Sequence, residues 1–309
     1  MRGVRAIDGV PVVVDGPAPA GDGVRVKVAS AGICGSDLHL LAFNLPAVLG
    51  HEMAGLLPDG RAVAIEPMAP CWSCSACRSG DYNRCVAGPA MIVGVGRDGG
   101  MAEECLVPPT AIVPLPSGVS TADGCLVEPL AVAVHGVRRA RVAPGERVAV
   151  VGGGTVGLTA VIAAQAAGAS VDVEARHDRQ RDAAARLGAG AVADGYDVVV
   201  EAAGTASALA RAVELCRPGG RVLVLGTYWG AAVEFPQGSC FNEIDLIPAS
   251  MYSRSGASRD IDVGAALLAT RPAVADVLIT HRFPLDAAGE AFAVARDRAA
   301  GAIKVVLEP

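Results

Sequence analysis

Basic residues are in the minority in this chain: 26 Lys and Arg stand against 32 Asp and Glu, for a net charge of −6. That excludes general nucleic-acid binding, which needs a basic face, and leaves room only for a local basic patch. Aromatic residues are scarce at 4%, charged residues make up 19%, and 52% of the chain is hydrophobic. With its many Ala, Val and Gly residues, this composition excludes a disordered or fibrous chain and suits a soluble globular α/β protein. No apolar run follows the charged start MRGVRAIDG, so a secretory signal is not expected and a cytoplasmic location is. Internal repeats and low-complexity segments are also missing.

One stretch lacks charge altogether. Val148 to Val171 has the length of a transmembrane helix, but GGGTVG near its start would weaken a helix there. It divides better into a strand (RVAVV), a glycine loop and a helix (LTAVIAAQAAG), so no membrane partner is expected.

A length of 309 residues suits two domains. Up to about residue 125 the chain consists of short Val-rich runs broken by Gly, Pro and Asp, such as VRVKVAS, RAVAIEP and ECLVPP, which predict a β-rich region with long loops. From about Arg141 strands and helices alternate: RVAVV, SVDVEA, YDVVVEAAG and RVLVLGTY are separated by helical patterns. Such short apolar strands suit a parallel sheet covered on both faces. The last 40 residues hold the helical DVGAALLA and AAGEAFAVARD and the extended VLITHRF and AIKVVLE. Pattern alone does not say which domain they join.

Within VAVVGGGTVGLTAV, Gly152, Gly154 and Gly157 form a G-x-G-x-x-G motif between a strand and a helix. Gly152 permits the tight turn, Gly154 the approach of a pyrophosphate, and Gly157 close strand–helix packing. The helix start, with Thr155 and Val156, offers N–H groups and a positive dipole end to a dinucleotide.

Nine cysteines are present, and Cys71, Cys74, Cys77 and Cys85 fall in one C-x2-C-x2-C-x7-C cluster. Four thiolates suit a tetrahedral zinc with no open position, which is a structural site. A nucleic-acid-binding zinc module is disfavoured, because only Arg78 and Arg84 are basic in that interval and Asp81 offsets them. A second donor set is Cys34 in GICGSDLHL, His51 and Glu52 in LGHEMAG, and Glu128 in VEPLAVAVHG. Thiolate, imidazole and carboxylate could hold zinc with an open position. Spacing alone leaves a metal site and unrelated core or helix-start roles equally open.

GICGSDLH, GHE, the four-cysteine lobe, LVEPLAVAVH, GGGTVG and the ending DRAAGAIKVVLEP occur in that order over essentially the whole chain. In this the sequence resembles the zinc-dependent medium-chain alcohol dehydrogenases, most closely their polyol, threonine and butanediol dehydrogenase branch. The resemblance implies a GroES-like catalytic domain, residues 1–128 and 253–309, and a doubly wound Rossmann domain, residues 129–252. It implies catalytic zinc on Cys34 and His51, with Glu52 and Glu128 both candidates for further ligation. Ser36 then takes the alcohol proton and His39 passes it on, while the hydride moves between the alcohol and a nicotinamide. Lys304 matches a basic residue near the cofactor pyrophosphate, and a homo-oligomer, dimer or tetramer, is implied.

Two intervals depart from the family pattern. GHEMAGLLPDGRAVAIEP is contracted, with sixteen residues between Cys34 and His51, and the stretch from RLGAGAVADG to YDVVV is shortened as if a helix were missing. The first lies near residues that line the substrate pocket in the family, so the resemblance does not name the alcohol.

In VEARHDR, residues 173–179, Glu174, Ala175 and Arg176 all lie where a dinucleotide ribose is read. The family's AAGA and LGA segments place the selecting position at Ala175, and strand parity turns Glu174 to the other face. Without a carboxylate there, Arg176 and His177 could bind a 2′-phosphate, so NADP is expected in preference to NAD. The alternative is that Arg176, Arg179 and Arg181 form a solvated helix start. A rival from another class, a cofactor-binding sensor that has lost catalysis, is countered by the joint presence of Cys34, Ser36, His39, His51 and Glu128.

Overall fold

The computed structural model describes residues 1–230 and 232–309. Its contacts divide the chain into two compact units, Met1–Glu128 with Ser253–Pro309, and Pro129–Tyr252.

The first unit opens with an antiparallel hairpin, β1 (Arg2–Ile7) and β2 (Val10–Asp15), turned at Asp8–Gly9 with both residues at positive φ. Then follow β3 (Val24–Ile33), the short helix α1 (Gly35–Leu40), β4 (Glu52–Leu56) and β5 (Ala62–Ile65). Within the segment noted in the sequence as contracted, a tight turn joins β4 to β5. Leu57 N–H bonds to the Arg61 carbonyl, and Gly60, at φ 85°, closes the PDG corner. After the one-turn α2 (Ser75–Arg78) come β6 (Glu104–Val107) and β7 (Ile112–Pro114). The helix α3 (Val127–Arg139) carries Glu128, the last residue of this part of the unit, in its first turn.

The second unit alternates strand and helix. β8 (Arg147–Val151), α4 (Thr155–Ala166), β9 (Ser170–Glu174), α5 (Asp178–Arg186), β10 (Gly190–Ala191), β11 (Tyr196–Glu201), α6 (Ala206–Leu215) and β12 (Cys216–Val224) follow in turn. The short α7 (Gln237–Phe241) and β13 (Asp245–Pro248) complete it. The six strands are parallel in the order β10-β9-β8-β11-β12-β13, so the winding reverses between β8 and β11. Val148, Val150, Val198, Val199 and Val200 are fully buried, as strands covered on both faces require. Each such side chain contributes about 1.5–3 kcal/mol on burial.

No helix lies between β10 and β11. Tyr196 covers that place instead: its hydroxyl donates to Asp172 at 2.7 Å and accepts the Ala193 N–H at 2.8 Å, and the Arg147 guanidinium lies 4.5 Å over its ring.

Next to it, Asp197 accepts from the Arg147 N–H at 2.9 Å and the Arg217 side chain at 2.8 Å, and these bonds hold its pKa below the usual carboxylate value. A depressed folded-state pKa adds stability above the unfolded value of about 3.9, and that stability is lost as pH falls through the folded value. Thermal melts should show Asp197→Asn less stable than the natural chain at pH 7, with the gap closing below about pH 4.

The chain then re-enters the first unit through a two-residue hairpin, β14 (Arg254–Ser255) and β15 (Ser258–Arg259), and the helices α8 (Asp260–Thr270) and α9 (Ala273–Leu278). β16 (Ile279–Pro284), α10 (Ala288–Arg296) and β17 (Lys304–Glu308) end it. The closing strand pairs antiparallel with β3, giving a seven-stranded sheet ordered β16-β17-β3-β4-β5-β7, with β6 alongside β3. This sheet carries Glu52 at the start of β4 and Lys304 at the start of β17 on opposite sides of β3.

Candidate metal centres and glycine loop

Cys34 follows β3 and caps α1, so its thiol is delivered at a strand-to-helix corner. The Asp37 carboxylate reaches back to the Cys34 N–H at 2.9 Å and locks that corner. Three residues apart on α1, Ser36 and His39 share a face, with His39 exposed and Ser36 half-buried. His51 precedes β4. One atom each from Cys34, His51 and Glu52 lie within 4.8 Å of one another.

The imidazole is held from both ends. Its Nδ1 lies 3.4 Å from the fully buried Asp37 Oδ1, and its Nε2 lies 3.3 Å from the Ser36 hydroxyl. Neither Asp37 Oδ1 nor His51 Nδ1 has a hydrogen bond of good geometry. A carboxylate behind the imidazole is the arrangement that orients a metal-binding histidine, leaving Nε2 as the ligating atom. Burial is the largest influence on His51 and opposes its charging, yet Asp37, Cys34 and Glu128 outweigh it and hold its pKa well above the usual histidine value. Burial pushes the Asp37 carboxyl up, against the pull of His51. A half-buried thiol and imidazole crowded this closely against a buried carboxylate fit a divalent metal and suit zinc.

Glu128 stands outside the 4.8 Å triangle but acts on His51 through its charge. Glu52 has a cation of its own. The Lys304 ammonium donates to Glu52 Oε2 at 2.5 Å and to the Ile33 carbonyl at 3.0 Å, and both side chains are only 2% exposed. Lys304, which the resemblance places near a pyrophosphate, has its ammonium enclosed within the first unit and paired with Glu52. The carboxylate leaves no room for a side chain at Gly32, where a Cβ would stand 2.2 Å from Glu52 Oε2.

The four-cysteine lobe gathers Cys71, Cys74, Cys77 and Cys85 within the same limit. The Cys71 and Cys77 sulfurs are 3.9 Å apart, close to the ~3.8 Å edge of a tetrahedron with zinc–sulfur bonds of about 2.3 Å. Backbone N–H groups of Cys71 and Ala87 point at the Cys85 sulfur, and that of Cys74 at Cys71, which favours thiolates. All four are free of disulfides. Tyr82, between the last two cysteines, bonds to the buried Glu66 at 2.5 Å, and Arg259 closes on Glu66 at 3.0 Å, tying the lobe to its unit.

In the second unit the glycine loop joins β8 to α4. Gly152 has φ 112°, and a Cβ on Gly157 would stand 1.8 Å from the Gly152 carbonyl, so only glycine lets the helix start so close to the strand. α4 turns its N-terminal end, with Thr155 and Val156, toward this loop. Glu174 is engaged elsewhere: the Arg211 guanidinium donates to both its oxygens, at 3.2 and 3.0 Å. Ala175 follows the strand and packs beside the loop, since a Cβ on Gly153 would come within 2.7 Å of its own. Arg176 is exposed, and His177 caps α5. Arg181 folds back on the carbonyls of Ala175 and Arg176, both at 2.9 Å, bracing that turn.

Sequence reasoning missed Asp37 as a supporting residue and saw Arg181 only as part of a solvated helix start. Asp37 carried a signal, as the third residue of a helix whose cap is Cys34; Arg181 carried none apart from its neighbours.

The alcohol dehydrogenase GroES-like domain model matches residues 20–117, and the glucose dehydrogenase C-terminus model matches residues 121–308. L-galactonate-5-dehydrogenase of Escherichia coli (strain K12) is 33% identical over 308 residues, covering 89% of this chain and 88% of that protein. Galactitol-1-phosphate dehydrogenase from Escherichia coli superposes with a TM-score of 0.89 at 28% identity over 100% of both chains. A protein from Sinorhizobium meliloti 1021, provisionally described as a zinc-binding dehydrogenase and bound to NADP, gives 0.87 at 31% identity over 100% of this chain and 99% of its own. With both domain models matched along its length, the chain belongs to the zinc-dependent medium-chain alcohol dehydrogenases, in their polyol dehydrogenase branch, and is a nicotinamide-dependent oxidoreductase.

Proposed function

We propose that this enzyme interconverts an alcohol (a secondary alcohol, a polyol or an amino alcohol) with its ketone or aldehyde, using NADP in preference to NAD. The observation that carries the reading is the convergence of Cys34, His51 and Glu52 beside Ser36. These three side chains would hold the catalytic zinc, with Glu128 in reserve, and the four cysteines a structural zinc. Zinc supplies a Lewis acid toward the substrate oxygen, and the nicotinamide supplies the hydride acceptor. The protein does the rest: Asp37 fixes the imidazole, Ser36 Oγ receives the alcohol proton, and exposed His39 carries it to solvent.

Polyol and sugar-acid substrates are supported by the relatives, among them an L-galactonate-5-dehydrogenase and the sorbitol dehydrogenase of Bombyx mori. The NADP preference is supported by Ala175 beside the glycine loop, by Glu174 being occupied with Arg211, and by the NADP bound to the Sinorhizobium protein. The same reading takes the enzyme as a cytoplasmic homo-oligomer, which light scattering after size exclusion checks for its assembly.

The functional test is a panel of secondary alcohols, polyols and amino alcohols scored with NADP and NAD separately. Turnover of at least one alcohol, faster with NADP, is expected; no turnover with either cofactor would sink the reading. Arg176→Ala should raise the NADP dissociation constant about tenfold or more while changing that for NAD little. Equal effects on the two would remove Arg176 from 2′-phosphate recognition.

A further inference from the structure

The winding of the parallel sheet reverses between β8 and β11, and the crevice outside their C-terminal ends is where an open α/β sheet binds its ligand. Glu201 is the last residue of β11 and is fully buried. A carboxylate in such a place has to be satisfied, and among the described residues no cation does it. Oε1 accepts the N–H groups of Ala203 at 2.8 Å and Gly204 at 2.7 Å, and Oε2 accepts the Tyr228 hydroxyl at 2.8 Å.

Those donors come from two different loops. Ala203 and Gly204 belong to the turn from β11 into α6, and Tyr228 lies beyond β12. The loops meet backbone to backbone: a Cβ on Gly204 would stand 2.7 Å from the Thr227 carbonyl, and one on Gly226 would stand 2.4 Å from both Gly204 N and Glu201 Oε2. On its other side the same turn rests on the glycine loop, since a Cβ on Gly152 would stand 3.1 Å from Ala202 C and Ala203 N. Burial, then the bond to Glu201, raises the Tyr228 phenol pKa, so Tyr228 remains a hydrogen-bond donor at neutral pH.

Three strand-end loops at the reversal point are therefore held in one arrangement, and a single carboxylate ties two of them. We propose that Glu201 and Tyr228 are positioning residues for the dinucleotide, fixing the loops at 202–205 and 226–228 against the glycine loop so that the cofactor meets a preformed crevice. The inference rests on the reading that the second unit binds the dinucleotide. Its work is geometric, so the hydrogen-bonding pattern matters and the negative charge does not: an amide at position 201 can still accept both backbone N–H groups and face the tyrosine oxygen with its own donor. Losing the tyrosine hydroxyl leaves a buried carboxylate oxygen without its donor.

The test uses the full-length enzyme with NADPH as the probe. NADPH affinity is read by fluorescence titration, amide exchange at Ala203 and Gly204 by mass spectrometry, and kcat and KM separately. Tyr228→Phe should weaken NADPH binding about tenfold and speed exchange at the two amides. It should raise KM for the cofactor more than it lowers kcat. Glu201→Gln should stay within about threefold of the natural enzyme in affinity, whereas Glu201→Ala loses more than either. If Tyr228→Phe lowers only the melting temperature and leaves NADPH affinity and exchange alone, the pair is merely structural and the proposal falls. It also falls if Glu201→Gln is as damaging as Glu201→Ala, because charge would then be what matters. Failure of the natural enzyme to bind NADPH or NADH would instead overturn the cofactor reading itself.

Discussion

His51→Ala is expected to lower kcat/KM for every alcohol by about a thousandfold or more, because a metal acting on the substrate oxygen is worth several kcal/mol. The imidazole is the central member of the Cys34, His51 and Glu52 triangle, with Asp37 behind it and Ser36 before it. Removing it should release one metal equivalent and spare the four-cysteine lobe. Asp37→Asn keeps the shape of the support but takes away its charge, and should cost about 10–100-fold in activity or metal affinity. Steady-state kinetics with metal analysis on both variants reads the result. A His51→Ala enzyme that keeps most of its activity would show that the triangle is not the reacting centre.

The second large effect is on stability. Lys304→Met should destabilise the protein by about 3–5 kcal/mol, since it leaves a buried carboxylate without its cation. Glu52 and Lys304 are both 2% exposed and 2.5 Å apart, and the ammonium also holds the Ile33 carbonyl at the end of β3. In Lys304 burial is the largest influence and opposes charging, but Glu52 and Cys34 outweigh it, so the ammonium stays charged. The loss corresponds to a fall of about 5–8 °C in the thermal midpoint. Zinc held partly by Glu52 would supply positive charge in place of the lysine, so the fall should be larger after chelation than with zinc added. Adding Glu52→Gln to Lys304→Met should recover much of the stability, because no unpaired charge then remains. Melts of the three variants with and without chelator check this; an unchanged midpoint in Lys304→Met would mean that the pair contributes nothing.

Much of the fold was legible because its signals are local. The alternation of apolar strands and helices after Arg141, the glycines at 152, 154 and 157, and the cysteine spacing at 71–85 each depend on neighbours a few residues apart. The place of the closing strand beside β3 was not, because pairing of Val305 with Ile33 spans the whole chain. For the same reason the partner of Lys304 was not legible: Glu52 lies 252 residues away, and only the sheet brings them together. At residues 173–179, parity separated Glu174 from Ala175, but it could not show that Arg211 holds Glu174 or that Arg181 braces the turn. The shortened interval before Tyr196 could be seen in the sequence, whereas its filling by a tyrosine bonded to Asp172 could not.

Zinc analysis of the purified enzyme, paired with alcohol turnover on the same sample, tests the central claim most directly. Two equivalents per chain are predicted, one in the four-cysteine lobe and one at Cys34, His51 and Glu52, with the second lost selectively in His51→Ala along with activity. A single equivalent, retained in His51→Ala and lost only when the lobe cysteines are replaced, would contradict a zinc-assisted hydride transfer in this enzyme.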